Sequence, residues 1–214
     1  MSVIVVLDQI EKSFGEEKVL SAISHKFEGG KVHGIIGQNG SGKTVLFKCI
    51  CGLIRPDSGK VLVNDKQIGR DTDFPESLGA LIETPGFFPQ MSGYKNLKLL
   101  ASLRNQISSE DIKKNIITVG LDPESKKPVG KYSMGMRERL GIAQALMENP
   151  DLIILDEPFN GLDKESVKCV YKIIQGLKER KKTVFLASHN FMDIEILCDT
   201  VCEMDGGKLT IIKE

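Results

Sequence analysis

Residues 37 to 44 read GQNGSGKT, a composition suited to holding the phosphates of a nucleotide. Glycines at three positions of this loop let backbone N–H groups wrap around phosphate oxygens without side-chain clashes. We expect Lys43 to reach the β- and γ-phosphates and the Thr44 hydroxyl to ligate Mg²⁺. The loop follows a short apolar run, Val32 to Ile36, and opens a predicted helix from Lys43 to Cys51, whose positive N-terminal end would face the same anion.

Two acids stand where a second apolar run ends, in the sequence DLIILDEP at residues 151 to 158. Asp156 at the strand tip suits a Mg²⁺ ligand, bound directly or through water. Glu157 can orient and deprotonate an attacking water molecule. A strand whose polar end only reaches solvent is the alternative, but together with a phosphate loop the two acids predict nucleotide hydrolysis.

Two further strand ends carry polar side chains. His189 follows the apolar run in VFLASHN, and Glu83 follows the run Leu78 to Ile82. Ligands of parallel α/β sheets bind at the carboxyl ends of strands. His189 is therefore a candidate to contact the γ-phosphate or to hold the attacking water, although a lone histidine is often structural.

The elements that must position these side chains alternate between strand and helix, which predicts a mainly parallel α/β core. Predicted strands cover residues 3–7, 18–27, 32–36, 78–82, 152–155 and 183–187, and predicted hairpins cover 60–68 and 201–212. Helical periodicity covers residues 96–120, 133–147 and 166–178. The block from Lys95 to Glu148 is helix-rich and interrupts the core, so we expect a separate helical lobe there.

The bulk composition excludes several classes of protein. The 214 residues carry 29 Lys plus Arg and 29 Asp plus Glu, so the chain has no net charge, and we expect no nucleic-acid partner. No apolar run approaches the roughly 18 residues of a membrane span, and the N-terminus has no basic leader, which favours a cytoplasmic protein. The five cysteines, an odd number without paired zinc spacing, predict buried free thiols.

These segments, in this order, resemble the ATP-binding subunit of an ABC transporter over nearly the whole chain. GQNGSGKT resembles Walker A, LIILDEP resembles Walker B, and His189 matches the switch histidine. The resemblance implies an α/β fold of the P-loop NTPase class, with an ABC-type ATPase core, an antiparallel β subdomain and an inserted helical subdomain. It implies one ABC ATP-binding domain over residues 1–214, with the core and β subdomain in 1–94 and 149–214 and the helical signature subdomain in 95–148.

The resemblance also implies roles for particular residues. Those implied in catalysis are Lys43, Glu157 and His189, and those implied in Mg²⁺ binding are Thr44, Glu83 and Asp156. Those implied in ATP binding are Phe14, Gly37, Gln38, Asn39, Gly40, Ser41, Gly42, Lys43, Thr44, Ser133 and Gly135. Phe14 stands near where the family stacks an aromatic ring on adenine, and a core position at a strand edge is the equal alternative.

The segment YSMGMRERLGIAQAL, residues 132 to 146, stands where the family has its signature. The usual core LSGGQ reads YSMGM here, retaining Ser133 and Gly135. In the family these residues contact the γ-phosphate of ATP held by the opposite subunit, a task that suits a helix N-terminus; the structural alternative for the serine is a helix N-cap. The D-loop is matched by NGLD, with Asn160 and Asp163. Two chains, identical or paralogous, are then expected to face each other head to tail.

The segment LIETP occupies the place of the family's Q-loop, with Glu83 where a glutamine meets Mg²⁺ and the attacking water. An acid there, together with YSMGM, resembles the branch that exports bacitracin and lantibiotic-type peptides and confers resistance or immunity. Beside Asp156 and Glu157, a third carboxylate predicts repulsion without a cation and a charged oxygen ligand with one. A solvated loop acid is the alternative.

The loop GFFPQMSGY, residues 86 to 94, is a predicted contact with a membrane subunit, because in the family the surface beside the Q-loop receives a coupling helix. Phe87, Phe88, Met91 and Tyr94 have an interface composition, and local packing onto the helical lobe is the equal alternative. The expected partners are a second ATP-binding subunit and an integral membrane permease, with this chain peripheral on the inner face of the membrane.

Two other classes of function compete. A soluble ABC ATPase acting on nucleic acid or ribosomes is disfavoured by the zero net charge, the single cassette and the lack of a coiled-coil insertion. A nucleotide sensor without hydrolysis would lack the base, yet Glu157 is present. The transported substrate and the direction of transport stay open, because importer ATPases share most of these segments.

Overall fold

The computed structural model of this protein describes residues 5–213. Its strands are β1 (Val5–Phe14), β2 (Glu17–Phe27), β3 (Val32–Ile36), β4 (Ser58–Val63), β5 (Lys66–Gln67), β6 (Leu78–Leu81), β7 (Leu152–Asp156), β8 (Thr183–Ala187), β9 (Thr200–Asp205) and β10 (Lys208–Lys213). Its α-helices are α1 (Lys43–Cys51), α2 (Gly93–Arg104), α3 (Ser109–Thr118), α4 (Met134–Leu146), α5 (Lys164–Glu179) and α6 (Phe191–Leu197). Val3 and Ile4 of the first predicted strand lie outside the described residues.

The strands form two sheets. An antiparallel sheet has the order β2-β1-β4-β5, and a six-stranded sheet has the order β10-β9-β3-β8-β7-β6. Within the larger sheet, β9, β3, β8, β7 and β6 run parallel, and only β10 pairs antiparallel. The predicted α/β fold with an antiparallel β subdomain is confirmed. Because the parallel strands share one direction, their carboxyl ends all lie along one edge.

Two hydrophobic cores lie on opposite faces of the parallel sheet. On β7, Leu152 and Ile154 pack into the core shared with the antiparallel sheet and α1, whereas Ile153 and Leu155 pack into the core under the helices. This alternation follows from the two-residue period of a strand. Since both faces are covered, β7 reads as an uninterrupted apolar run rather than as an alternating one.

The block between β6 and β7 holds α2, α3 and α4, as the helix-rich composition predicts. Helix α4 packs directly on β6, where a Cβ on Gly79 would lie 1.8 Å from the Ala145 carbonyl oxygen. The glycine therefore permits the close approach of the helix. Gly141 on α4 likewise faces Pro85, just beyond β6, so the helical block is packed against the segment that carries Glu83.

Several element boundaries differ from the sequence prediction. Strand β1 continues to Phe14 rather than ending at Leu7. The helical run at 96–120 divides into α2 and α3 because Asn105 ends the first in the left-handed region and Ser108 starts the second with a capping box. Helix α6 carries no helical signal in the sequence and was not predicted.

The cysteine prediction is confirmed, since all five thiols are free and only Cys169 is partly exposed. Burial raises the pKa of the Cys49 thiol to about 11 and that of Cys202 to about 11. Within residues 5–213, none of the helices has the length and apolar character needed to cross a bilayer.

Candidate active site

The loop after β3 has the backbone that its glycines predict. Gly37, Gly40 and Gly42 all have positive φ angles, of 153°, 82° and 104°. A Cβ on Gly37 would lie 2.3 Å from the Met204 carbonyl oxygen, so a larger residue does not fit there. Gly42 is the N-cap of α1 and offers no side-chain acceptor, which leaves the first amides of the helix available to an anion.

The Lys43 ammonium lies inside this loop and is buried. Its Nζ donates to the carbonyl oxygens of Gly37, at 2.7 Å, and Gln38, at 3.1 Å. The same atom lies 3.5 Å from Glu157 Oε1. The loop therefore holds a positive charge at its centre, facing the carboxylate at the end of β7.

Thr44 and Asp156 meet across the end of the parallel sheet. The Thr44 hydroxyl donates to Asp156 Oδ2 at 2.6 Å, joining the first turn of α1 to the tip of β7. Burial raises the pKa of the Asp156 carboxyl, and the negative charges of Glu157 and Glu83 add to the rise, while the Thr44 hydroxyl and the Lys43 ammonium oppose it. A cation at this position would stabilise the charged carboxylate.

Three buried acceptor atoms in the described residues have no hydrogen-bond partner: Ser41 Oγ, Asp156 Oδ1 and Glu157 Oε1. All three belong to the phosphate loop or the end of β7. Buried polar atoms without partners are costly, so their concentration here indicates a place built for a ligand. Carboxylate and hydroxyl oxygens are the ligands that Mg²⁺ prefers, and the donor set therefore fits a Mg²⁺–nucleotide complex.

His189 and Glu157 contact each other at the ends of two adjacent strands. His189 Nδ1 lies 2.8 Å from Glu157 Oε2, and the His189 backbone N–H donates to the same oxygen at 3.3 Å. Glu157 has a φ of 53°, a left-handed conformation that costs energy for a residue with a side chain. The Glu157 N–H donates to the Ala187 carbonyl oxygen at 3.1 Å, which holds the carboxylate beside Lys43.

A cavity of about 270 Å³ lies over the phosphate loop. Its lining residues are Phe14, Glu17, Val19, Gln38, Asn39, Gly40, Ser41, Gly42, Lys43, Thr44, Val45, Asp156 and Glu157. Phe14 is 49% exposed, so the alternative of a core position is wrong, and the adenine contact stays as the prediction. A larger groove of about 900 Å³ lies between α3 and α5, but it contains none of the predicted site residues.

Comparisons with known proteins place this site in a family. A family model described as ABC transporter matches residues 20–160.

The chain belongs to the ABC transporter family.

It is an ATP-binding, ATP-hydrolysing subunit of that family, as the sequence predicts. It is 40% identical over 200 residues to the ABC transporter ATP-binding protein YybJ of Bacillus subtilis, covering 94% of this chain and 92% of that protein. It is 36% identical to the bacitracin transport ATP-binding protein BcrA of Enterococcus faecalis, covering 98% of this chain and 67% of BcrA. It is 33% identical to the lantibiotic transport ATP-binding protein SrtF of Streptococcus pyogenes, covering 97% of this chain and 90% of SrtF.

Solved ABC cassettes share the fold. The dimeric structure of the cassette MJ0796 bound to ADP and Pi superposes with a TM-score of 0.86, covering 98% of this chain and 99% of that chain at 19% identity. CbiO1 from Clostridium perfringens, part of the transporter complex CbiONQ, superposes with a TM-score of 0.82 at 26% identity, covering 98% of this chain and 87% of that chain.

The signature residues of this ABC subunit lie apart from its phosphate loop. Ser133 is exposed and caps α4, accepting a hydrogen bond from the Met136 N–H at 3.2 Å. Gly135 is the second residue of α4, and an added Cβ there would be 3.3 Å from Leu162 Cδ2 in the D-loop segment. Neither Ser133 nor Gly135 lines the cavity over the phosphate loop. Their predicted contact with ATP therefore requires a second chain.

The D-loop residues have different surroundings. Asp163 is the N-cap of α5 and accepts from the Ser166 N–H at 2.8 Å. Asn160 is exposed, and the neighbouring Gly161 packs closely under Met134. The D-loop and the signature helix thus form one surface of the chain, distinct from the phosphate loop.

Glu83 is not brought into contact with Thr44 or Asp156. Its Oε1 accepts from Lys48 Nζ at 2.6 Å, and its side chain is 64% exposed. The sequence carries no signal for this pairing with Lys48, and the metal role of Glu83 stays a prediction. The two aromatic residues of the following loop also separate, since Phe87 packs against the core under the helices while Phe88 is 50% exposed.

Proposed function

We propose that this ABC subunit binds MgATP between two chains and hydrolyses it at the end of β7 to power a separate integral membrane permease. The supporting observation is the position of Glu157, which lies between the buried Lys43 ammonium and His189 beside the phosphate loop. A carboxylate at that place, with one buried oxygen that has no hydrogen-bond partner, suits a general base. In this proposal, the permease holds the chain at the inner face of the membrane.

The hydrolytic step assigns each side chain a task. A water molecule attacks the γ-phosphorus, the bond to the β–γ bridging oxygen breaks, and the proton of the water passes to Glu157. Lys43 offsets the negative charge on the phosphate oxygens, and His189 keeps the Glu157 carboxylate oriented. Thr44, Asp156 and Glu83 would hold Mg²⁺, which would supply positive charge to offset the negative charge of the phosphates. Phe14 would stack on the adenine ring.

The substitution Glu157→Gln tests the general base. We expect the variant to bind ATP and to remain dimeric, and kcat to fall about 10²- to 10⁴-fold, since the amide cannot accept the proton. ATPase assays together with size-exclusion chromatography in ATP measure both effects. Glu179→Gln, an exposed acid on α5, is the matched control and should leave kcat unchanged. Vigorous hydrolysis by Glu157→Gln would defeat the assignment.

The transported substrate that we propose is an antimicrobial peptide or a similar amphiphile, moved outward. The support is the activity of two relatives, bacitracin transport for BcrA and lantibiotic transport for SrtF. Coexpression of this chain with its copurifying membrane subunit should protect a sensitive Gram-positive host against such a peptide. Protection that persists with Glu157→Gln, or copurification of ribosomes in place of a membrane protein, would contradict the proposal.

A further inference from the structure

Lys48 and Glu83 form an ion pair beside the site, 35 residues apart in the chain. Lys48 Nζ lies 2.6 Å from Glu83 Oε1, with the lysine side chain 23% exposed. Within residues 5–213, Glu83 has no other hydrogen-bond or ion-pair partner. The position of its carboxylate is therefore set by the lysine.

The helix places this pair close to the residues that would hold the metal. Lys48 follows Thr44 by four residues on α1, and side chains at this spacing share a face with Cβ atoms about 5–6 Å apart. Thr44 itself donates to Asp156. The charge of Glu83 also reaches Asp156, whose pKa it helps to raise. Lys48, which holds the Glu83 carboxylate, is thus one helical turn from Thr44 on α1.

We propose that Lys48 is a positioning residue that holds the Glu83 carboxylate away from the metal, and that Glu83 must leave Lys48 to ligate the metal of MgATP. This inference rests on the metal role that the proposed function gives to Glu83. Exchange is feasible because an ion pair with an exposed carboxylate is weak.

The test measures Mn²⁺ binding by electron paramagnetic resonance in the presence of a non-hydrolysable ATP analogue. Lys48→Met removes the charge that competes for Glu83, so we expect Mn²⁺ affinity to rise about two- to fivefold. Lys48→Arg should restore the affinity of the parent protein. Glu83→Gln should bind Mn²⁺ more weakly, and the double variant should match Glu83→Gln because Lys48 acts through Glu83. In the ATPase assay, the half-saturating Mg²⁺ concentration should fall for Lys48→Met and rise for Glu83→Gln.

Lys66→Met is the matched control, because Lys66 forms a comparable exposed pair with Glu76 away from the site. Lys66→Met should leave Mn²⁺ affinity unchanged. Binding of the ATP analogue in the absence of metal shows whether a substitution changes the binding of the phosphates directly. Unaltered or weaker Mn²⁺ binding by Lys48→Met would overturn the inference, as would an equal gain in the Glu83→Gln background. Unaltered binding by Glu83→Gln would instead overturn the metal role of Glu83 in the proposed function.

Discussion

Glu138 is a carboxylic acid placed on α4, four residues before Ile142 of the core, and it is only partly exposed. Within residues 5–213, no hydrogen-bond or ion-pair partner of its side chain occurs. Burial raises the pKa of this carboxyl from its ordinary value of 4.5 to about 7. The charged form is therefore disfavoured in the folded state at neutral pH.

The raised pKa of Glu138 makes the free energy of unfolding depend on pH. Between about pH 4.5 and 7 the folded state holds a proton that the unfolded state has already lost, so stability falls as the pH rises through this window. Glu138→Gln removes the titration, and we expect the variant to gain about 1–3 kcal/mol over the parent at pH 8. The gain should vanish near pH 4.5. Urea unfolding at several pH values measures it, with Glu179→Gln as an exposed control; a gain independent of pH would contradict the account.

Some side chains of the site could be predicted from the local sequence, and others could not. Asp156 ends β7, His189 follows β8 by two residues and Lys43 starts α1 after the glycine-rich loop, so the local pattern alone indicates them. Lys48 carries no such signal, because a lysine on a short helix is typical of a solvated surface. Its partner lies 35 residues away, and that contact depends on how α1 and β6 pack.

At the scale of elements, strands and helices with strong local signals were predicted within a residue or two. The bounds of β3, α1 and β8 match the prediction because each is a compact apolar run or follows a glycine-rich loop. Helix α6 was missed since its sequence, FMDIEIL, alternates acids with isoleucines in the two-residue period of a strand. Tertiary contacts override that pattern, with Asp193 accepting from the Tyr171 hydroxyl and Ile194 buried.

The two phenylalanines in the loop between β6 and α2 are expected to have different roles. Phe88→Ser should weaken copurification with the membrane subunit while leaving ATP affinity and stability unchanged, since the exposed ring is free to contact a partner. Phe87→Ser should instead lower the free energy of unfolding by at most about 3–5 kcal/mol, because its ring packs against the core under the helices. Pull-down and thermal unfolding distinguish the two. Equal behaviour of both variants in both assays would contradict this division.

At the scale of the whole molecule, the residues predicted to contact ATP or a second chain lie on two separate surfaces. The phosphate loop and Glu157 line one cavity, while Ser133 and Asn160 are exposed on another surface of the same chain. The strand order that arranges these surfaces could not be read from the sequence, because β3 pairs with β8 and β9 across most of the chain. The alternation of strands and helices indicates the class of fold, and long-range pairing decides which strand ends meet.

A complementation experiment follows from this geometry if two copies face each other head to tail. Lys43→Met should inactivate the phosphate loop of a chain, and Ser133→Asp should retain the N-cap but place a negative charge against the γ-phosphate. Each variant alone should be inactive. In a mixed dimer, one site combines both defects while the other combines an intact phosphate loop with an intact Ser133.

Equal amounts of the two variants should therefore recover about a quarter of the parent ATPase activity, since half of a randomly mixed population is heterodimeric with one intact site. Ser92→Asp is the matched control, because Ser92 caps α2 in the same way and should support full activity. Mixing Lys43→Met with Glu157→Gln should recover much less, because both defects belong to the same cavity and every dimer retains a defective loop or base in each site. No recovery with Ser133→Asp would contradict a head-to-tail pair of identical chains.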